Sequence, residues 1–384
     1  MTKLTNIFFK LLRAQIAQDG YVFDEQILLN EDEQNALFSL SKLHDVAHIV
    51  ARALKGSEVA LEEAVRAAFQ KEQSLALYRY MQLKNEAIAL YAALDEKNVR
   101  YMVLKGSEIR KHYPSPEMRV SSDIDILVES EELESTLQLL SDELEYTIGD
   151  RTSYDVSTFA PSGVHVEVHF KLTSEDERYD TALSDAWESS LPDGNAENRR
   201  VMCPELQLAY TVMHTAKHFH NGGCGVRFLM DLFVLEQKLT YDEAKMREIL
   251  AKCNLCKFYD ELHRLASIWF ADGEHNELTK EMESYIIGAG IYGNIENKVA
   301  VFQNEKGGKL NYALSRIFPK KSYLEITYPK LKKHPILYPY YMIKRWFRIA
   351  FTRRKEAFNE LKTNATISDA KTERIRSLID RLNL

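Results

Sequence analysis

Apolar positions recur at helical spacing through the first quarter of the chain, in Ile7, Phe8, Leu11, Leu12 and Ile16 and again in Leu37, Leu40, Leu43, Val46, Ala47, Val50 and Leu54. Gly56 is a stop signal for the second pattern. A third pattern runs from Leu61 to Leu94 without a glycine or proline, and the first proline of the chain is Pro114. These spacings predict an all-helical region over residues 1–95. From Asn98 the pattern shortens. Tyr101 to Leu104, Ile124 to Val128 and Val164 to Phe170 read as strands, the last with period-two alternation, with a short helix after Ser107 and another from Glu131 to Leu144.

Helical periodicity returns beyond Pro204, in Leu206 to Phe219, Phe228 to Leu239, Asp242 to Cys253 and Phe258 to Phe270. Glycine clusters at Gly222, Gly223 and Gly225 and at Gly288, Gly290 and Gly293 mark connections. Four prolines between Phe318 and Pro339 predict an extended wrap or linker before a last helical stretch. The expected fold class is α/β: a small mixed-sheet core over 96–203, flanked by a helical region over 1–95 and a C-terminal helical region over 204–384.

A chain of 384 residues with 45% apolar content exceeds the usual size of one core, so two or three packed units are expected. The net charge of −7 argues neither for nor against nucleic acid, but its distribution is uneven. Between Arg316 and Lys355 twelve Lys/Arg face one acid, Glu325, a net +11 on an otherwise acidic chain. Met1 to Gly20 has neither a long apolar run nor a small-residue cleavage site, and no stretch approaches the ~18 apolar residues that span a bilayer. The reading is cytoplasmic. Four cysteines, Cys203, Cys224, Cys253 and Cys256, fit reduced, structural thiols.

The chemistry concentrates in Lys105-Gly106-Ser107, Asp123-Ile124-Asp125 and His165-Val166-Glu167-Val168-His169. Asp123 and Asp125 are two apart, so on a strand they share one face while Ile124 and Ile126 point into the core. Like charges this close are stabilised by a divalent cation between them, and hard oxygen ligands favour Mg²⁺. Glu167 offers a third carboxylate, opposite Val164, Val166 and Val168. Such a trio holds two metal ions that clamp an in-line displacement at phosphorus. Gly106 and Ser107 would set backbone amides and a hydroxyl against a triphosphate, with Lys105 and Arg119 neutralising phosphate charge. Each motif alone is an ordinary turn or strand edge; their order and spacing together predict a nucleotidyl transfer site.

At these residues the chain resembles the polymerase-β-type nucleotidyltransferase superfamily, whose pattern is Gly-Ser, then Asp-x-Asp, then a third acid on a later strand. More narrowly, Leu104-Lys105-Gly106, Tyr113-Pro114, Arg119, Asp123 to Val128 and Glu167-Val168-His169 resemble a bacterial group of uncharacterised nucleotidyltransferases. The resemblance implies a nucleoside triphosphate donor, Mg²⁺ held by Asp123, Asp125 and Glu167, and transfer of a nucleoside monophosphate with pyrophosphate release. It supplies no acceptor. Fifteen residues separate Ser107 from Asp123, a longer gap than is common in the superfamily, so Tyr113 and Arg119 would shape the pocket differently. In that group a His-bearing helix precedes an Asp-bearing one, which implies a part for His218, Arg227 and Asp231, together with His169 of the Glu167-Val168-His169 motif, in an acceptor or nucleotide pocket.

Other signals are weaker. His214 and His218, four apart, have zinc-ligand spacing but no evident third ligand, and a packed or site-facing helix explains them better. Arg227 and Asp231 fit a helix ion pair, and Cys253 and Cys256 fit core packing. The segment with Tyr338, Tyr340, Tyr341, Lys344, Arg345, Trp346, Phe347 and Arg348 suits RNA, an anionic membrane surface, or an amphipathic helix with its aromatics turned inward. Two alternative functions stay open: a catalytically idle nucleotide-binding or scaffold protein, and a transferase directed at tRNA.

Overall fold

The computed structural model describes residues 2–23, 27–173, 177–194, 196–291, 293–328 and 330–384. Among the described residues the N-terminal region is helical as the apolar spacing predicts, but in four helices rather than three, α1 (Lys3–Ile16), α2 (Glu31–Leu43), α3 (Ala47–Lys55) and α4 (Glu63–Glu96), because the second pattern breaks between α2 and α3, where Asp45 takes a left-handed φ of 54°. Asn30 starts α2 with a capping box, its side chain accepting from the Glu33 amide while Glu33 reaches back to the Asn30 amide. In α4, Phe69, Ala76, Leu83 and Leu90 are buried at intervals of seven. That spacing returns to almost the same helix face, so one stripe runs the roughly 50 Å length of the helix. Phe69 packs edge-on against Phe38 of α2, and Leu83, Leu90 and Leu94 lie against the sheet.

Among the described residues the sheet has seven strands: β1 (Tyr101–Val103), β2 (Asp123–Val128), β3 (Thr147–Arg151), β4 (Asp155–Phe159), β5 (His165–His169), β6 (Leu191–Asp193) and β7 (Ala196–Val201), in the order β3-β4-β5-β2-β1-β7-β6. It is mixed, with β2 parallel to β5 and β1 parallel to β7. Strand alternation divides its two faces. Ile124, Ile126, Val128, Val156, Val164, Val166 and Val168 form the core with α4 and with Leu133, Leu137 and Leu140 of α6 (Leu133–Leu144). The opposite face carries the charged residues of β2 and β5. The short helix near Ser107 starts earlier than the sequence suggests: α5 (Lys105–Ile109) already contains Gly106 and Ser107.

The remaining helices are α7 (Glu177–Ala182), α8 (Pro204–His220), α9 (Val226–Lys238), α10 (Glu243–Lys252), α11 (Cys256–Phe270), α12 (Glu277–Ile287), α13 (Ile295–Lys306), α14 (Lys309–Ile317), α15 (Lys321–Thr327), α16 (Lys330–Lys333), α17 (Tyr338–Thr352), α18 (Arg354–Thr366) and α19 (Asp369–Arg381). The expected extended segment over 318–339 is instead mostly helical, in α15, α16 and a 3₁₀ turn over Pro335–Leu337. Pro335 and Pro339 occupy first-turn positions, where a missing N–H costs no hydrogen bond, so they start helices rather than interrupt them. The chain divides into two compact units, one of residues 1–214 and 226–280 and the other of 215–225 and 281–384. Among the described residues no helix is long and apolar enough to cross a membrane.

Candidate active site

The parallel register of β2 and β5 sets Asp125 beside Glu167 and Asp123 beside His165. Side chains at paired positions of parallel strands stand on the same face, so the three carboxylates form one cluster over the sheet. Two overlapping donor sets result, Asp123–His165–Glu167 and Asp125–Glu167–His169, with ligand atoms within 4.8 Å of one another in each.

A cation already stands in this cluster. Beyond β1 the Leu104 amide donates to the Asp125 carbonyl, and Lys105 then turns through a left-handed φ of 45°. That conformation is strained for a residue with a Cβ. The bend delivers the Lys105 ammonium to Asp125, where Nζ donates to Oδ1 at 2.6 Å, with Glu167 Oε2 at 3.5 Å and His169 Nε2 at 3.3 Å. His169 Nε2 also meets Asp125 Oδ1 at 3.0 Å and Glu167 Oε2 at 3.3 Å.

The titration behaviour follows from this packing. Burial would raise Asp125, but the Lys105 charge and the His169 hydrogen bond outweigh it and hold the carboxyl well below its ordinary range. Asp123 is pushed up to about 6, first by burial and then by the like charges of Asp125 and Glu167. Burial and Lys105 would lower His169, yet its hydrogen bonds to Asp125 and Glu167 raise it above 6.5. Burial opposes the charge on Lys105, whereas Asp125, Tyr210 and Glu167 favour it and raise it well above 10.5.

Three carboxylates gathered around an ammonium are a site for a cation. The donor set of carboxylate oxygens with flanking imidazoles suits Mg²⁺ or Mn²⁺. His165 Nε2 and His169 Nδ1 are buried without a hydrogen bond.

The nucleotide-binding residues expected from sequence lie around Lys105. A Cβ on Gly106 would stand 2.9 Å from Ser121 Cβ, so glycine here lets α5 close onto the loop before β2. Arg110 fastens that closure, its Nε donating to the Gly106 carbonyl and Nη2 to Ser121 Oγ. Arg119 is buried, with Nε donating to both Asp231 oxygens at 2.8 and 2.9 Å and Nη1 to the Val120 carbonyl. Burial works against its charge, but Asp231 outweighs this and raises its pKa.

Asp231 also accepts from the Tyr113 hydroxyl at 2.8 Å, and Arg227 pairs with Asp45 at 2.8 Å and donates to the Val120 carbonyl. Thus Arg227 and Asp231, whose spacing suggests a pair with each other, grip the loop that carries Arg119. His169 stands in the acid cluster, and His218 belongs to the second unit. Cys253 is buried, its thiol donating to the Arg178 carbonyl, and that of Cys256 donates to the Arg247 carbonyl.

Helix α8 borders the same region. A cavity of about 20 Å³, the size of a single water, is lined by Lys105, Arg119, Gln207, Tyr210, His214 and Asp231 among others. Tyr210 is enclosed and its pKa is pushed up to about 12, chiefly by burial. Sequence reading finds His214 but passes over Tyr210. A signal for it exists, since Tyr210 lies four residues before His214 on one helix face, and the two rings stack with centroids 6.5 Å apart.

Acid side chains gathered on one sheet face beside a left-handed bend suit chemistry at phosphorus, and the family comparison places this protein among the nucleotidyltransferases. More narrowly, the chain belongs to the family described as "Uncharacterised nucleotidyltransferase", which matches residues 30–271. Antibiotic-resistance factor ANT(2'')-Ia, known from a solution structure, is similar at 14% identity with a TM-score of 0.33, covering 50% of this chain and 97% of its own. A comparison with curated proteins finds no match.

Proposed function

We propose that the protein transfers a nucleoside monophosphate from a nucleoside triphosphate to an acceptor hydroxyl, with Mg²⁺ and release of pyrophosphate. The observation that carries this reading is the register pairing of Asp125 with Glu167, with Asp123 two residues along the same strand face. Asp123, Asp125 and Glu167 would hold the metal. When bound, it supplies positive charge to the oxygens that gain negative charge during displacement.

The chain's own residues orient and move protons. Lys105, with Gly106 and Ser107 on α5, receives the triphosphate, and Arg119 fixes the loop that faces it. Arg227 and Asp231 position that loop through Val120 and Arg119. The acceptor oxygen attacks the α-phosphorus, the bond to the β-phosphate oxygen breaks, and Glu167 takes the acceptor's proton. Glu167, at 23% side-chain exposure, is more accessible than Asp125 at 4% and so better placed for that proton. His169 bridges Glu167 and Asp125 and steadies both. A cytoplasmic setting, where nucleoside triphosphates are abundant, suits this chemistry.

Incubation with α-labelled nucleoside triphosphates, Mg²⁺ and a cell extract tests the reading. Label is expected on an acceptor for the native chain and absent for Glu167→Gln; no labelled product with any extract would overturn it. A catalytically idle nucleotide-binding protein is the second reading. What favours it is Lys105, whose ammonium pairs with Asp125 and Glu167. Absence of Mn²⁺ binding in a paramagnetic titration would select it.

A further inference from the structure

Helix α17 carries no acidic residue, and its two sides differ in what they touch. Tyr341 and Met342 are buried with Leu324 and Leu331, and Tyr328 stacks on Tyr341 with ring centroids 4.6 Å apart. Arg345 donates to the Arg316 carbonyl at 3.0 Å, and the Trp346 indole N–H donates to the Ile317 carbonyl at 2.9 Å. These contacts fix which face is turned inward.

The outer face is apolar. Tyr340, Ile343, Phe347 and Phe351 are exposed at spacings of three and four, which makes one stripe roughly 16 Å long. Phe347 and Phe351 are 60% and 83% exposed, and Ile336, just before the helix, is 87% exposed. Exposed apolar surface this continuous marks an interaction site rather than ordinary scatter.

Charge surrounds the stripe. From Ile326 to Lys355 nine Lys/Arg occur with no acid. Lys344 and Arg348 lie on one flank, each over the Tyr328 ring at 5.7 and 5.8 Å. Arg353, Arg354 and Lys355 are exposed at its C-terminal end, and Lys330, Lys332 and Lys333 precede it.

We propose that α17 docks lengthwise on a bilayer surface rich in anionic lipid, its stripe entering the boundary of headgroups and acyl chains while Lys344, Arg348 and the terminal bases meet the phosphates. A basic helix of modest overall hydrophobicity with a bulky apolar face lies in the interface plane rather than spanning it. Single-stranded nucleic acid would match the charge, but it is held by ring stacking. Ile336, just before the helix, and Ile343, within the stripe, offer no ring, whereas the boundary of headgroups and acyl chains takes up aliphatic and aromatic side chains alike. The inference is independent of the nucleotidyl transfer reading, since it uses none of the same residues.

Co-flotation of the full chain with vesicles tests it, comparing phosphatidylcholine alone with phosphatidylcholine mixed with phosphatidylglycerol. Binding is expected on the anionic vesicles only, weakening as salt is raised. Phe347→Ser with Phe351→Ser should weaken it by at least roughly tenfold, because two large apolar side chains no longer leave water. Both positions are exposed, so circular dichroism should be unchanged. Lys344→Gln with Arg348→Gln should weaken binding to anionic vesicles while leaving the fold intact. No flotation, or flotation indifferent to both pairs of substitutions, overturns the proposal. So does single-stranded RNA binding in the absence of vesicle binding, or a concentration-dependent dimer that Phe347→Ser dissolves.

Discussion

The Lys105 ammonium stands 2.6 Å from Asp125 Oδ1, inside the group of acids whose arrangement calls for a metal ion. On the proposed reading, lysine and metal would compete for the same oxygens. Lys105→Met should raise Mn²⁺ affinity by about tenfold or more, since one partly buried opposing charge is removed from within a few ångströms. Isothermal titration with nucleotide absent gives the affinity, and unchanged or weaker binding would refute competition. Turnover of the same variant should fall if Lys105 moves to the triphosphate during catalysis.

Asp125→Asn and Glu167→Gln should separate stability from chemistry. Asp125 is enclosed and answers the charges of Lys105 and His169, whereas Glu167 keeps part of its side chain in water. Both variants should lose nucleotidyl transfer. Asp125→Asn should in addition lose about 2 kcal/mol of stability, because it leaves the partly buried Lys105 ammonium without its nearest carboxylate. Urea unfolding of the pair decides this, and equal stabilities would count against it.

Gly106→Ala should destabilise the protein by roughly 1–3 kcal/mol, because the new methyl meets Ser121 Cβ where Arg110 holds that loop closed. Donor affinity should drop with it as α5 shifts. A variant as stable as the native chain would show that the loop yields freely.

His48 supplies a pH dependence. It is buried, its Nε2–H donates to the Met118 carbonyl at 2.9 Å, and burial holds its pKa below 6.5. A depressed folded-state value means that below pH 6.5 the unfolded chain takes up a proton which the folded chain refuses. Stability from this source is present above 6.5 and is lost as the pH falls towards the folded value, at up to about 1.4 kcal/mol per pH unit. His48→Gln keeps a donor but does not titrate. Urea midpoints above and below pH 6.5 should show the native chain losing more than the variant; equal losses would remove His48 as the cause.

Much of the site was legible because it lies on strands with strong patterns. Val164, Val166 and Val168 alternate cleanly, and Ile124 and Ile126 fix the face that Asp123 and Asp125 take. Strand β3 could not be read in that way, since Thr147 to Arg151 are all exposed at the sheet edge and bury no face to impose a period. The partner of Arg119 was hidden for another reason. Asp231 is 112 residues away, and only the packing of α9 against the loop brings the two together. The reach of Lys105 likewise depends on a left-handed bend that nothing in Leu104-Lys105-Gly106 specifies locally.

The parallel pairing of β2 with β5 also bears on the time course of folding. The two strands are separated in the chain by α6, β3 and β4, and nothing local holds Asp125 next to Glu167. Pairings between distant segments form slowly, after a costly loop closure. The acid cluster therefore comes into being only when the centre of the sheet closes, and on the proposed reading a nascent chain that has emerged only as far as β4 would lack Glu167, the third carboxylate of the metal site. Cation capture would thus be a timestamp for completion of this sheet, readable during refolding as the moment Mn²⁺ leaves free solution.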